Sequence, residues 1–422
     1  MLFLLRSSAS ASLSIRRIGR RSVLSTAAVV AVAAASSSSS ATINHFIDHH
    51  HQRRRNMTTT TTNLKFQRIV PNPADSNANS TPLPRSSHGL SIIQDGTILV
   101  LYGGENIART PITDAAQVLW LAKKKTKGDE WQWISPTTMT SGDDAIVAPP
   151  SRVAHAQAAV GNNIYIFGGR NGIEMGENAM NDMWMLQVDD ITENNTAMMI
   201  RWTQISQGDN IPEARSFHKM IAVGTNIYMF GGCGSSGRLN DLWKFDTISN
   251  KWTNLGSSHV LRGRGGPNIL SLSDGTKIAI VAGFAGEETN DGHVYNTIHN
   301  AWEEDGMKGG LANMRPRSVC CFASLPQVNK CVIFGGEVDP SQKGHEGAGG
   351  FERDVVILDG TGGSILDNIK PSQEDDEEEW PGNRGWADAT VHGDTFYIFG
   401  GLAGDDTSPV RLDDLWQCKV SP

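Results

Sequence analysis

The sequence predicts an all-β chain in which six four-stranded sheets repeat around a common axis as a propeller, with a strand from the N-terminal side completing the last sheet. Three observations predict it. An apolar phrase ending in paired small residues occurs six times: LVLYGG to Gly104, IYIFGG to Gly169, IYMFGG to Gly232, IAIVAG to Gly283, CVIFGG to Gly336 and FYIFGG to Gly401. Each copy carries an Arg 17 to 19 residues before its second glycine, namely Arg85, Arg152, Arg215, Arg264, Arg317 and Arg384, with His88, His155 and His218 three residues on in the first three copies. The sixth copy stops at Trp416 to Val420 with no fourth strand after it, while a lone fourth-strand phrase, KFQRIV at 65–70, precedes the first copy. Self-similarity at one period marks units that bury their faces only against neighbours.

Within a copy the elements follow in order. Paired glycines end a buried strand because the chain then turns at positive φ, where a Cβ would clash. A variable loop leads to a third strand, seen in NDMW at 181–184, NDLW at 240–243, NDGH at 290–293 and DDLW at 413–416. A fourth strand holds a Trp near its start: EWQW at 130–133, RWTQ at 201–204, KWTN at 251–254 and AWEE at 301–304. These segments alternate or are wholly apolar over four to eight residues, the strand signal, and each Trp supplies apolar area between sheets. Phe66 aligns with Trp202 and Trp252, so the N-terminal strand is expected to close the ring and remove two exposed edges. Residues 63–422 then form one domain of about 60 residues per repeat, against roughly 50 in the kelch repeat this pattern matches.

Residues 1–62 differ. The first 47 contain no Asp or Glu but five Arg, and the tract runs on to five Thr at 58–62. It reads as a targeting leader with a low-complexity segment, mitochondrial by its Arg-rich, acid-poor composition, with a plastid address, secretion or a cytosolic product begun at Met57 as alternatives. The apolar run at 23–35 is shorter than the roughly 20 residues a membrane span needs, so no span is expected in the mature protein. Residues 1–57 hold eight Arg and one Asp, which leaves 29 basic against 44 acidic residues in the body. That balance argues against nucleic acid and anionic membranes as partners. Five cysteines without a C-x-x-C pair argue against a disulfide framework or zinc ribbon and read as small buried hydrophobes.

In a propeller the chain enters each blade at its innermost strand, so the six Arg residues are expected to ring the channel mouth beneath the loops that follow the glycines. They bridge neighbouring blades, or they converge on a carboxylate, sulfate or phosphate. The expected ligand-binding set is Arg85, Arg152, Arg215, Arg264, Arg317 and Arg384 with Glu337 and His345, the last two from the glycine-rich loop that runs GGEVDP into GHEGAGG. The fourth copy departs most: its glycine pair is Ala282-Gly283 and His293 replaces the Trp of the third strand. Glu287, Asp291 and His293 are the metal candidates, a carboxylate and imidazole set suited to Fe(II); solvated acids beside an exposed His is the alternative.

The phrases RGRGGP at 262–267, AGFAGEETNDGHVYN at 282–296, GGEVDP with GHEGAGG, RGW at 384–386 and RLDDLW at 411–416 resemble the plant kelch proteins related to nitrile-specifier, epithiospecifier and thiocyanate-forming proteins. The resemblance covers 63–422. It implies an Fe(II)-dependent, non-hydrolytic step on glucosinolate aglycones, with channel-mouth arginines holding the anionic substrate. The family's iron motif is E-x-x-x-D-x-x-x-H; Glu287 and Asp291 match its first two places, whereas Tyr295 stands at the third. Two functions are therefore expected: a kelch scaffold binding a protein partner or small anionic ligand on the loop-bearing face, or an Fe(II)-dependent specifier-like lyase acting on such sulfated molecules.

Overall fold

The computed structural model describes residues 62–74, 80–125, 128–138, 148–174, 176–190, 198–372 and 379–422. The expected leader, apart from Thr62, and most of the acidic run at 374–379 lie outside them. The regular structure described is β apart from the four-residue helix Ala115–Val118 and four short 3-10 turns. No described helix is long and apolar enough to cross a membrane.

Six sheets contain four or five strands each, and small two- and three-stranded ribbons cover the loops after the glycine pairs. In the first five sheets, consecutive strands of one copy pair as antiparallel neighbours. The sixth contains Asp388–His392, Thr395–Gly404 and Pro409–Ser421, and its outer strand is Asn63–Ile69, in register from Asn63 opposite Ser421 to Ile69 opposite Leu415. Phe66 is buried there, with its ring 4.5 Å from Trp380 and 5.8 Å from both Phe334 and Phe396.

The sheets bury their faces against one another. One cluster joins Tyr228 and Phe230 of the third sheet to Ile278, Ile280 and Tyr295 of the fourth. Another joins Tyr165 and Phe167 of the second to Met229, Trp243 and Phe245 of the third. The repeated histidines belong to these contacts: His88, His155 and His218 stand edge-on to Phe399, Tyr102 and Phe167 of the neighbouring sheet at 5.3 to 5.5 Å. Gly103 admits His155, since a Cβ at Gly103 would lie 2.8 Å from the His155 Cε1. All five cysteines are buried and free.

A ring of backbone hydrogen bonds runs around the inside. Two residues after each repeated Arg stands a residue in the left-handed region: Ser87, Ala154, Phe217, Gly266, Val319 and Trp386, with φ between 47° and 60°. The N–H of each donates to the carbonyl of the one before it at 2.8 to 3.0 Å, and the Ser87 N–H donates to Trp386 O. Five of these six are not glycine, so the hydrogen bonds hold them in a region that L-residues seldom adopt.

Below this ring the innermost strands enclose a channel of about 610 Å³. Above it a separate cleft of about 320 Å³ opens among the loops. The neck between them holds only about 30 Å³, because Phe217 and Trp386 meet edge to face across it, 5.4 Å apart.

Candidate functional site

The six repeated arginines are buried and spent within their own copies. In each, Nε donates to the carbonyl two residues upstream and Nη1 to the carbonyl of the first residue of the glycine pair. Five of them also grip an Asp with both Nη atoms at 2.6 to 3.1 Å: Arg152 with Asp182, Arg215 with Asp241, Arg264 with Asp291, Arg317 with Asp354 and Arg384 with Asp414. The indole N–H of Trp184, Trp243 and Trp416 donates to the same carboxylate at 2.6 Å. Arg85 bonds the Gln117 carbonyl instead, and burial lowers it to about 9. These six were expected to hold a ligand; a desolvated guanidinium needs partners, and here the carbonyls and carboxylates of the repeat supply them.

The expected metal ligands are also committed apart from one another. Asp291 is held by Arg264; burial raises its carboxyl, but the Arg264 hydrogen bonds and charge outweigh that and leave it below the usual range. His293 fills the place of the missing Trp, fully buried, with Nδ1 2.8 Å from Ser258 Oγ, Nε2 2.7 Å from Glu303 O and its ring stacked on Trp302 at 4.7 Å. Glu287 is exposed and paired with Arg262. No group of three or more His, Cys, Asp or Glu side chains suited to a metal occurs among the described residues. The three residues do not fit the iron site that the resemblance implies, because each donor already has another partner.

What the repeat offers to the cleft is one position further on, immediately after the glycine pair. In chain order that position holds Glu105, Arg170, Cys233, Phe284, Glu337 and Leu402. Each bridges to the residue following its repeated Arg: Ser86, Val153, Ser216, Gly265, Ser318 and Gly385. Arg170, Cys233, Phe284 and Glu337 line the cleft with the neck pair Phe217 and Trp386, joined by Arg109 and Arg238 from the loops. The spacing that found the six arginines carried this signal too, since the residue after each pair is as regular in position as the pair itself.

The charges in the cleft are unevenly satisfied. Arg170, 3% exposed, stacks its guanidinium over the Phe217 ring at 5.1 Å and donates through Nη1 to Ile173 O and Glu174 O. Among the described residues its Nε has no partner, and neither has Arg109 Nε. The Glu337 carboxylate, in a residue 7% exposed, accepts among the described residues a single long bond, from the Ser341 N–H at 3.3 Å, and burial raises it to about 7. Behind it Glu288 is pushed up to about 8, first by burial and then by the Glu337 charge. Glu105 receives Ser86, Ser87 and the Arg109 N–H. Of the two residues expected from the glycine-rich loop, Glu337 is in the cleft; His345 lies in the turn Gly344–Glu346, its side chain outside the description, and Gly344 lines the cleft.

A family model described as the KLHDC2/KLHL20/DRC7 Kelch-repeats domain matches residues 147–336. The chain is 27% identical over 339 residues to N-(sulfonatooxy)prop-2-enimidothioate sulfolyase of Thlaspi arvense, a match covering 75% of this chain and 87% of that protein. It is 23% identical over 295 residues to Kelch domain-containing protein 3 of Bos taurus, covering 67% and 69%. Human leucine-zipper-like transcriptional regulator 1 is 26% identical over 288 residues, 65% of this chain but 30% of the longer protein. The solved structure of YjhT shares the fold, with a TM-score of 0.53 at 15% identity over 81% of this chain and 99% of that one.

Proposed function

This chain is a kelch-repeat protein, and from that premise we propose that its six sheets are blades of one ring, closed by the strand Asn63–Ile69, that presents a blind cleft to a small anionic ligand. The in-register pairing of that strand with the last one and the six-membered ring of backbone hydrogen bonds support the closure. The observation that carries the binding role is Arg170: buried beside Arg109 in the cleft wall, with an unpartnered Nε and no carboxylate within salt-bridge distance among the described residues. A buried guanidinium so placed favours a carboxylate, sulfate or phosphate. The neck pair closes the floor, so the ligand is small, or is the protruding end of a protein partner.

Preferential binding to the folded state raises the melting temperature, and the gain grows with the logarithm of ligand excess over Kd. Sulfate or succinate is expected to raise it beyond the effect of chloride at equal ionic strength, and Arg170→Gln to remove the difference. A melting curve blind to every anion would overturn the reading.

A specifier-like lyase is the second reading, favoured by the likeness to the Thlaspi arvense sulfolyase over most of that protein. The residues matching the iron motif are engaged elsewhere, Glu287 with Arg262 and Asp291 with Arg264. Anaerobic Fe(II) titration of untagged protein tests it: one equivalent bound would revive the lyase, none would leave the binding scaffold.

A further inference from the structure

Two of the buried charges in the cleft stand opposite one another. The ring of backbone hydrogen bonds gives the order of the copies around the axis, and in that order the second and fifth are three steps apart in either direction. Arg170 belongs to the second and Glu337 to the fifth, both at the position after the glycine pair and both lining the same cleft. Each is more than nine-tenths buried, and neither has a salt-bridge partner among the described residues, one another included. Between them lie about 320 Å³ of open space and an aromatic floor made by Phe217 and Trp386.

Burying a charge without a partner is costly, and proteins pair such groups or neutralise them. The same repeat shows the usual solution, where five arginines each have an aspartate. Arg170 and Glu337 lack that solution because the cleft holds them apart. A ligand that brings an anion to one wall and a cation to the other completes both, and does so where water is largely excluded, so each charge-assisted hydrogen bond is strong.

Resting on the anion-binding reading above, we infer that the ligand is a small zwitterion of dipeptide size, its carboxylate at Arg170 with Arg109 beside it, its ammonium at Glu337, and an apolar body over Phe217 and Trp386. A dipeptide spaces its two charges by a chain, so that each meets its own wall. The volume is at the small end of ligand sites, which run from about 300 to 1,000 Å³. Ser318 and Ser341 also line the cleft on the acidic side; their hydroxyls donate to Glu288 and Asp406, which leaves oxygen lone pairs to accept from an ammonium.

Calorimetric titration of the full chain with alanyl-phenylalanine, its N-acetyl form and its C-terminal amide tests the inference. The free dipeptide is expected to bind at least about tenfold more tightly than either capped form, a difference of about 1.4 kcal/mol. Glu337→Gln should erase the preference over the N-acetyl form while leaving the N-acetyl form bound, and Arg170→Gln should erase the preference over the amide. Arg170→Lys, which keeps the charge if the loop at 173–174 suffers from loss of the fork, should restore part of it. Equal or tighter binding of the N-acetyl form would overturn the zwitterion and leave the anion site standing. Failure of all three peptides, with sulfate still raising the melting temperature, would do the same; failure of sulfate as well would remove both readings.

Discussion

Lys219 Nζ lies 3.1 Å from Asp388 Oδ1, although the two residues stand on the innermost strands of the third and sixth sheets, on opposite sides of the channel. Asp388 Oδ2 meanwhile accepts the Leu90 N–H of the first sheet, and the Lys219 ammonium sits over the Phe322 ring of the fifth at 5.7 Å. One ion pair thereby engages four sheets just below the Phe217 and Trp386 contact. The two crossings divide the mouth cleft from the channel, which is why the cleft has a floor.

Opposite walls coupled through one ion pair should show it in a double-mutant cycle. Lys219→Met keeps the alkyl stem and strands the carboxylate; Asp388→Asn keeps the Leu90 bond and strands the ammonium. Urea unfolding of both variants and of the double variant is expected to yield a coupling energy of about 0.5–3 kcal/mol. Additive effects would mean that water already screens the pair.

The arginine clamps differ in burial, and their cost of removal should follow it. Asp354 is 3% exposed at the side chain, against 44% for Asp291. Asp354→Asn leaves a buried guanidinium short of a counter-charge and is expected to cost about 3–5 kcal/mol. Asp291→Asn, screened by solvent, should cost about 1 kcal/mol or less. Equal losses in denaturant unfolding would show that burial does not set the value of a clamp.

The strand Asn63–Ile69 gives a third test. Removing residues 1–62 should leave stability unchanged, whereas removal through residue 72 takes away Phe66, Ile69 and all the pairing with Pro409–Ser421. That deletion should lower the melting temperature sharply or cause aggregation through the bared edge. Phe66→Ala alone is expected to cost about 3–5 kcal/mol, the range for a buried aromatic truncated in a core. If both truncations melt alike, the ring does not depend on this strand.

What was legible in the sequence was local to one copy. The Arg, the glycine pair and the Asp-x-Trp phrase recur at fixed offsets because each copy solves the same backbone problem, and their spacing announces strands and turns. Asp354 escaped notice because Val356 stands where Trp would flag the phrase. The six arginines invited an open ring, since spacing cannot tell a guanidinium facing solvent from one facing its own repeat's carboxylate. Asp291 and His293, two apart, suggested shared ligation, yet Arg264 claims the first and the vacant Trp position the second. Arg170 and Glu337 are 167 residues apart and line one cleft, a long-range relationship that no local period contains.

The stability profile with pH should have two limbs of opposite sign. His88, His155 and His218 are buried, and burial, followed by the nearby arginines, depresses all three, against a weaker opposing backbone contact at His88 and His218; His155 falls to about 3 from an ordinary 6.5. A folded state that binds fewer protons than the unfolded chain has its full contribution above pH 6.5 and loses it as the pH falls toward the folded value. Glu337 and Glu288 act the other way, because burial raises them from 4.5 to about 7 and about 8. Their contribution is complete below pH 4.5 and is lost as the pH rises through 7 and 8. The two effects oppose one another from 4.5 to 6.5, so the urea midpoint is expected to fall below that window through the histidines and above it through the acids. Glu288→Gln with Glu337→Gln should flatten the profile between pH 6.5 and 8 and leave the acid limb intact. His155→Phe, which keeps a ring against Tyr102, should soften the acid limb alone. An alkaline limb that survives loss of both glutamates would show that these two groups are not its source.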